Sequence, residues 1–99
     1  MKLGFKTHLN EVERTVKIIN RLGMHARAAG KFRNLAAQYK STIKLIKGKM
    51  EADAKSILGL MALEASKGTE LLIRAWGEDA EQAVAALSRL IEERFGEDE

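Results

Sequence analysis

The stretch Thr42-Ile43-Lys44-Leu45-Ile46-Lys47-Gly48-Lys49-Met50-Glu51-Ala52 constrains this chain more than any other. Apolar and polar residues alternate along its first half, the period of a half-buried strand. Lys47-Gly48-Lys49 then reads as a hairpin turn into a short strand through Met50-Glu51-Ala52. A hairpin on its own is marginal in water; it needs further strands and a cover for its apolar face.

The flanking segments supply both. Val12 to Ile19 reads as a strand, with Arg14, Val16 and Ile18 on one face. Ala26 to Tyr39 reads as a helix with Ala29, Phe32, Leu35, Ala36 and Tyr39 along one stripe. Lys55 to Glu64 is a short apolar helix, and Glu70 to Trp76 another strand, broken by Gly77. Asp79 then caps a final helix whose Ala80, Val84, Leu87, Ile91 and Phe95 recur every three or four residues. The order is β-α-β-β-α-β-α. It predicts an α+β fold, an open-faced β-sandwich: a four-stranded antiparallel sheet covered on one face by three helices.

The chain has 99 residues, the size of one domain, and no Cys or Pro. Residues 1–10 read as an N-terminal extension, 11–96 as the domain and 97–99 as an acidic C-terminal end. No apolar run is long enough for a membrane span or a signal peptide, so a soluble, cytoplasmic protein is expected. Charge is uneven. Residues 1–77 carry 15 Lys+Arg against 6 Asp+Glu, net +9; residues 78–99 carry 2 against 8, net −6. A basic body of this kind suggests a partner with an acidic or phosphorylated face. Nucleic acid is the competing partner, but RNA-binding open sheets display aromatics on their strands, and here there is only Trp76. Two His without Cys give no metal-ligand spacing, and no nucleotide-binding glycine loop is present. No cofactor is implied.

Chemistry concentrates at Gly23-Met24-His25-Ala26-Arg27, directly before the first helix. The first N–H groups of a helix have no partner within it and form an anion site. Arg27 adds a cation suited to phosphate. A lone histidine before a helix is ordinarily a half-exposed cap; this context makes it a nucleophile beside a phosphate cradle. Imidazole is partly neutral near pH 7 and forms a labile phosphoryl bond. Downstream, Ser56 is an N-cap candidate for the short helix. Met24, Ile57, Leu58, Leu60 and Met61 cannot all be buried, and those left over are expected to form an apolar docking patch near His25.

Two segments, Leu22-Gly23-Met24-His25-Ala26-Arg27 and Ala54-Lys55-Ser56-Ile57-Leu58-Gly59-Leu60-Met61, occur in the matching element order. Together they resemble HPr, the histidine-containing phosphocarrier family of the bacterial phosphoenolpyruvate phosphotransferase system. The resemblance covers about residues 11–95. It implies that His25 accepts the phosphoryl group on Nδ1, that Arg27 is its phosphate partner, and that Ser56 is a regulatory phosphorylation position. It implies a stoichiometric carrier, not an independent enzyme, and likens its partners to Enzyme I, EIIA-type domains and an HPr kinase/phosphorylase. A monomer is expected. A regulatory binding module of the same fold, acting through Ser56, is the alternative. Two positions depart from the family pattern: Ala28 stands where Pro is usual, and Gly30 where Thr or Ser is common.

Overall fold

The sheet face carrying Ile43, Leu45, Leu71, Ile73 and Ala75 is fully buried, and the helices lie across it. The structure is a computed structural model that describes residues 11–99. The extension expected over residues 1–10 lies outside the described residues. The elements are β1 (Glu11–Lys17), α1 (Ala26–Ala36), β2 (Thr42–Lys47), β3 (Met50–Asp53), α2 (Ile57–Ala62), β4 (Glu70–Trp76) and α3 (Ala80–Glu92), followed by a 3-10 turn at Arg94–Gly96. The strands form one antiparallel sheet of order β1-β4-β2-β3. The expected architecture is observed.

Register follows the alternation. Val16 pairs with Leu71, Leu45 with both Ile73 and Ala52, and Ile43 with Ala75, so the apolar side chains share one face. The opposite face is mixed: Ile46 and Leu72 are neighbours on it, and the charged residues beside them pair across strands. Arg74 bonds Glu13 across β1 and β4 at 2.5 Å and lies 6.0 Å from the Trp76 ring centroid, while Trp76 Nε1 donates to Glu11. Strand β1 is shorter than expected, yet Ile18 N and O still bond Thr69 O and Gly68 N beyond its end.

Small residues let the helices come close. Ala28, Ala29 and Ala36 flank Phe32 on α1; Ala80 and Ala83 stand beside Val84, Leu87 and Ile91 on α3. Helix α1 ends at Ala36, short of the expected Tyr39, and Leu35 and Tyr39 pack only partly on the core. Ala28 is fully buried in the first turn. A Cβ at Gly30 meets nothing within 4 Å, so that glycine weakens the helix without a packing reason.

The end of the chain departs from the sequence expectation. The helix was expected to carry Phe95 on its stripe; α3 instead stops at Glu92, and Arg94 and Phe95 turn left-handed at φ 58 and 56. The kink still puts Phe95 in the core, 1% exposed, with its carbonyl accepting from Lys31 Nζ at 2.7 Å. Burial of an aromatic ring offsets a strain of about 1–3 kcal/mol per such residue. Residues 97–99 return to the body of the fold: Arg21 N donates to Glu99 O at 2.9 Å, and Glu97 bonds Asn20 and His25.

Asp79 is at the N-cap of α3 but makes no side-chain bond to that helix. Its carboxylate accepts instead from Lys40 N, Ser41 N and Ser41 Oγ. Gly77, φ 136, permits this junction, since a Cβ there would lie 2.8 Å from Ser41 Oγ. The Ser41 hydroxyl first, then the Lys40 amide, hold the Asp79 carboxyl below the usual aspartate range. A depressed carboxyl stabilises the fold above its unfolded pKa, and that contribution is lost as pH falls through the folded value. Asp79→Asn is therefore expected to lower the thermal midpoint at pH 7. Its deficit should shrink below the ordinary aspartate range, as followed by circular dichroism melts across pH. A deficit independent of pH contradicts the ionised role.

Candidate functional site

Gly23 sets the geometry. Its φ is 69, and a Cβ there would lie 2.6 Å from Ala65 O, so only glycine passes this close to the segment before β4. Met24 N then bonds Ala65 O, and His25 N bonds Gly23 O, both at 2.9 Å. The buried Asn20 side chain closes the loop by donating from Nδ2 to Gly23 O at 2.9 Å.

His25 is the N-cap of α1. Its Nδ1 accepts from the backbone N–H of Arg27 at 3.3 Å, and its carbonyl accepts from Ala29 N at 2.8 Å. The ring is half-buried, with 27% of the side chain exposed. The burial comes from the C-terminal segment: Glu97 Oε2 lies 2.6 Å from His25 Nε2, and Glu97 Oε1 accepts from Asn20 Nδ2 at 3.0 Å. Arg27 is exposed, and among the described residues its guanidinium has no partner. Arg21, Leu22, His25, Arg27 and residues 97–99 line one open cleft. The helix start, the free guanidinium and the ring thus meet at a surface that can receive an anion.

Ser56 caps α2, its Oγ accepting from Gly59 N at 3.0 Å. Lys55 anchors this start to the end of α1, donating from Nζ to Tyr39 O and Ser41 O at 2.8 and 2.9 Å. The apolar residues divide. Leu60 is fully buried and Met24 is 5% exposed, so neither belongs to a docking patch, contrary to the sequence expectation. Met24 N bonds Ala65 O with the side chain in the core, and Leu60 is the one buried residue of α2. Ile57, Leu58 and Met61 remain exposed, Leu58 at 81%, and Leu22 joins them at 58%. Helix α2 packs beside α1.

Asn20, Leu22 and Glu97 were not among the residues singled out from sequence. An Asn three residues before a Gly is a turn signal that could have marked Asn20. Nothing in the local pattern marks Glu97.

Comparison with known proteins agrees with this geometry. The sequence model described as PTS HPr component phosphorylation site matches residues 12–93. The phosphocarrier protein HPr of Neisseria meningitidis serogroup A is 43% identical over 88 residues, covering 89% of this chain and 99% of that one. The phosphocarrier protein NPr of Shewanella violacea is 38% identical, covering 90% and 98%. A crystal structure of HPr from Thermoanaerobacter tengcongensis superposes with a TM-score of 0.86 at 41% identity, over 89% of this chain and 99% of that one. The chain belongs to the HPr family of phosphocarrier proteins of the phosphotransferase system.

Proposed function

We propose that His25 is the phosphoryl acceptor of this carrier, that it receives the group from phospho-Enzyme I, and that it passes it to an EIIA-type domain. The observation that carries this reading is His25 Nδ1, held 3.3 Å from the Arg27 amide at the start of α1. A phosphoryl group on that nitrogen sits on the positive end of the helix dipole, beside the Arg27 guanidinium. Phosphoryl transfer asks a protein mainly for positioning and charge stabilisation, and both are present. The reading needs one copy of the chain, working in the cytoplasm; among the described residues no helix is long and apolar enough to cross a membrane.

Ile57, Leu58, Met61 and Leu22 form the apolar part of the proposed docking surface, and Ser56 is its proposed regulatory position, open to an HPr kinase/phosphorylase. The same fold acting only as a regulatory module through Ser56 is disfavoured by the presence of His25 with its anion site.

His25→Ala is expected to abolish phosphoenolpyruvate- and Enzyme I-dependent labelling. It also removes the cap of α1, so a stability loss of about 1 kcal/mol is expected. Acid-labile label retained by the folded variant excludes His25 as acceptor. Arg27→Ala should slow transfer while changing stability by less than about 0.5 kcal/mol, because its guanidinium is exposed and unpartnered among the described residues. Lys at this position should recover part of the rate, lacking the planar fork. Unchanged single-turnover rates in Arg27→Ala count against a phosphate contact.

Ser56→Asp tests the regulatory position. Asp also caps helices, so α2 should persist. Its added negative charge, beside the exposed Leu58 and facing a partner attracted by the basic body, should weaken Enzyme I binding several-fold at low salt, the scale of about 1 kcal/mol per exposed charge pair. Titration at low and moderate salt measures this. Equal affinities at low salt leave Ser56 as a cap alone.

A further inference from the structure

Two contacts fix the protonation pattern of the His25 ring. The Arg27 backbone N–H can only donate, so Nδ1, 3.3 Å away, is the acceptor and carries a lone pair. An ionised carboxylate can only accept, so Nε2, 2.6 Å from Glu97 Oε2, carries the proton. Burial pushes the Glu97 carboxyl up, but hydrogen bonds from His25 and Asn20, with the charge of Lys31 nearby, leave the carboxyl below its ordinary value. Glu97 is thus an ionised acceptor at neutral pH, and in the neutral form of the ring the free lone pair is on Nδ1.

We propose that Glu97 is a positioning residue for phosphoryl transfer: its carboxylate locks the His25 proton on Nε2, presents the Nδ1 lone pair to phosphorus, and lies against the cationic ring that the transfer creates. This rests on His25 being the acceptor. The Nδ1 lone pair forms the new N–P bond. The P–N bond to the donor histidine breaks, and its electron pair returns to the donor ring. No proton leaves His25, so its ring becomes a phosphoimidazolium with Nε2–H still against Glu97. A charge that appears only as the bond forms is stabilised more in the transition state than before it. The reverse step benefits equally, since a ring protonated at Nε2 departs as neutral imidazole.

The support around Glu97 suits such a role. Its side chain is 19% exposed, and its second oxygen is held by Asn20, which also holds the Gly23 carbonyl of the histidine loop. The left-handed kink at Arg94 and Phe95, with Phe95 buried and its carbonyl tied to Lys31, aims the segment at the ring. Glu99, by contrast, pairs with Arg21 across exposed side chains and does not touch His25.

The test combines imidazole nitrogen-15 NMR, at a pH where the ring is neutral, with single-turnover phosphoryl uptake from phosphorylated Enzyme I. The wild-type ring is expected as the Nε2–H tautomer. Glu97→Ala should shift it toward a mixture and slow uptake about 10- to 100-fold, the range that outer partners of a functional histidine carry, with the half-saturating Enzyme I concentration little changed. Glu97→Gln, whose amide oxygen can still accept from Nε2, should keep the tautomer yet recover only part of the rate, because it lacks the charge. An unchanged tautomer distribution or an unchanged rate in folded Glu97→Ala overturns the proposal, and a wild-type rate in Glu97→Gln overturns its charge component. The NMR readout involves no phosphoryl group, so it separates failure of this proposal from failure of His25 as acceptor, which labelling of His25→Ala would reveal.

Discussion

The apolar face of β2 and β4 must be covered, and α1 and α3 do so with alanines at the contact and Phe32, Leu87 and Ile91 filling between them. Packing of that density leaves a helix little freedom to slide or rotate. The N-terminus of α1 is therefore a fixed point. Gly23 brings the incoming chain within reach of Ala65, and the Asn20 side chain holds the turn. His25 inherits its place from these constraints. Its ring caps the helix because the core decides where the helix begins. The imidazole is thus on the border between an ordered helix and a turn, half covered, with one nitrogen toward the helix start and the other toward the chain's end.

Strands and helices with clean periodicity were legible. Glu70–Trp76 is found with the expected limits, and the hairpin at Gly48 is in place, because alternation and turn chemistry are local. The Ser56 cap was legible for the same reason. What could not be read depends on partners distant in sequence. Asp79 has the sequence of a cap, but its carboxylate is taken by Ser41 and Lys40. Met24 and Leu58 look alike in composition; one lies in the core beside the backbone bond to Ala65, and the short helix leaves the other in solvent. The kink at Arg94 and Phe95 has no signal at all, since neither residue favours a positive φ and only burial of the Phe95 ring repays it.

The charge asymmetry of the sequence also changes meaning in the fold. A basic body and an acidic end suggested an external acidic partner. Part of that asymmetry is satisfied within the chain: Glu92 meets Arg14 at 3.5 Å, Glu99 meets Arg21 at 2.8 Å, and Glu97 takes His25 and Asn20. The exposed pairs contribute little stability. Their effect is to reduce the positive potential that a long-range argument assigns to the body. Close to His25, the cation that the proposed reading leaves for an incoming phosphoryl group is Arg27, without a partner among the described residues. On that reading, selectivity for an anion at this site rests on one guanidinium and the helix start, not on net charge.

On the proposed reading, phosphorylation rearranges the cap itself. In the free protein the Arg27 amide donates to Nδ1. Once Nδ1 carries phosphorus it has no lone pair, and that amide loses its acceptor. A phosphoryl oxygen, attached to the same nitrogen, is the nearest replacement. The exchange substitutes an anionic acceptor for a neutral one at the positive end of a helix dipole, an interaction of about 0.3–1 kcal/mol when exposed. The amide meanwhile remains satisfied, so the helix need not fray to accept the group. The bond to Glu97 is on the other nitrogen and can persist through the exchange. The ring is then held at both nitrogens in both states, and transfer in either direction requires little reorganisation of the protein around it.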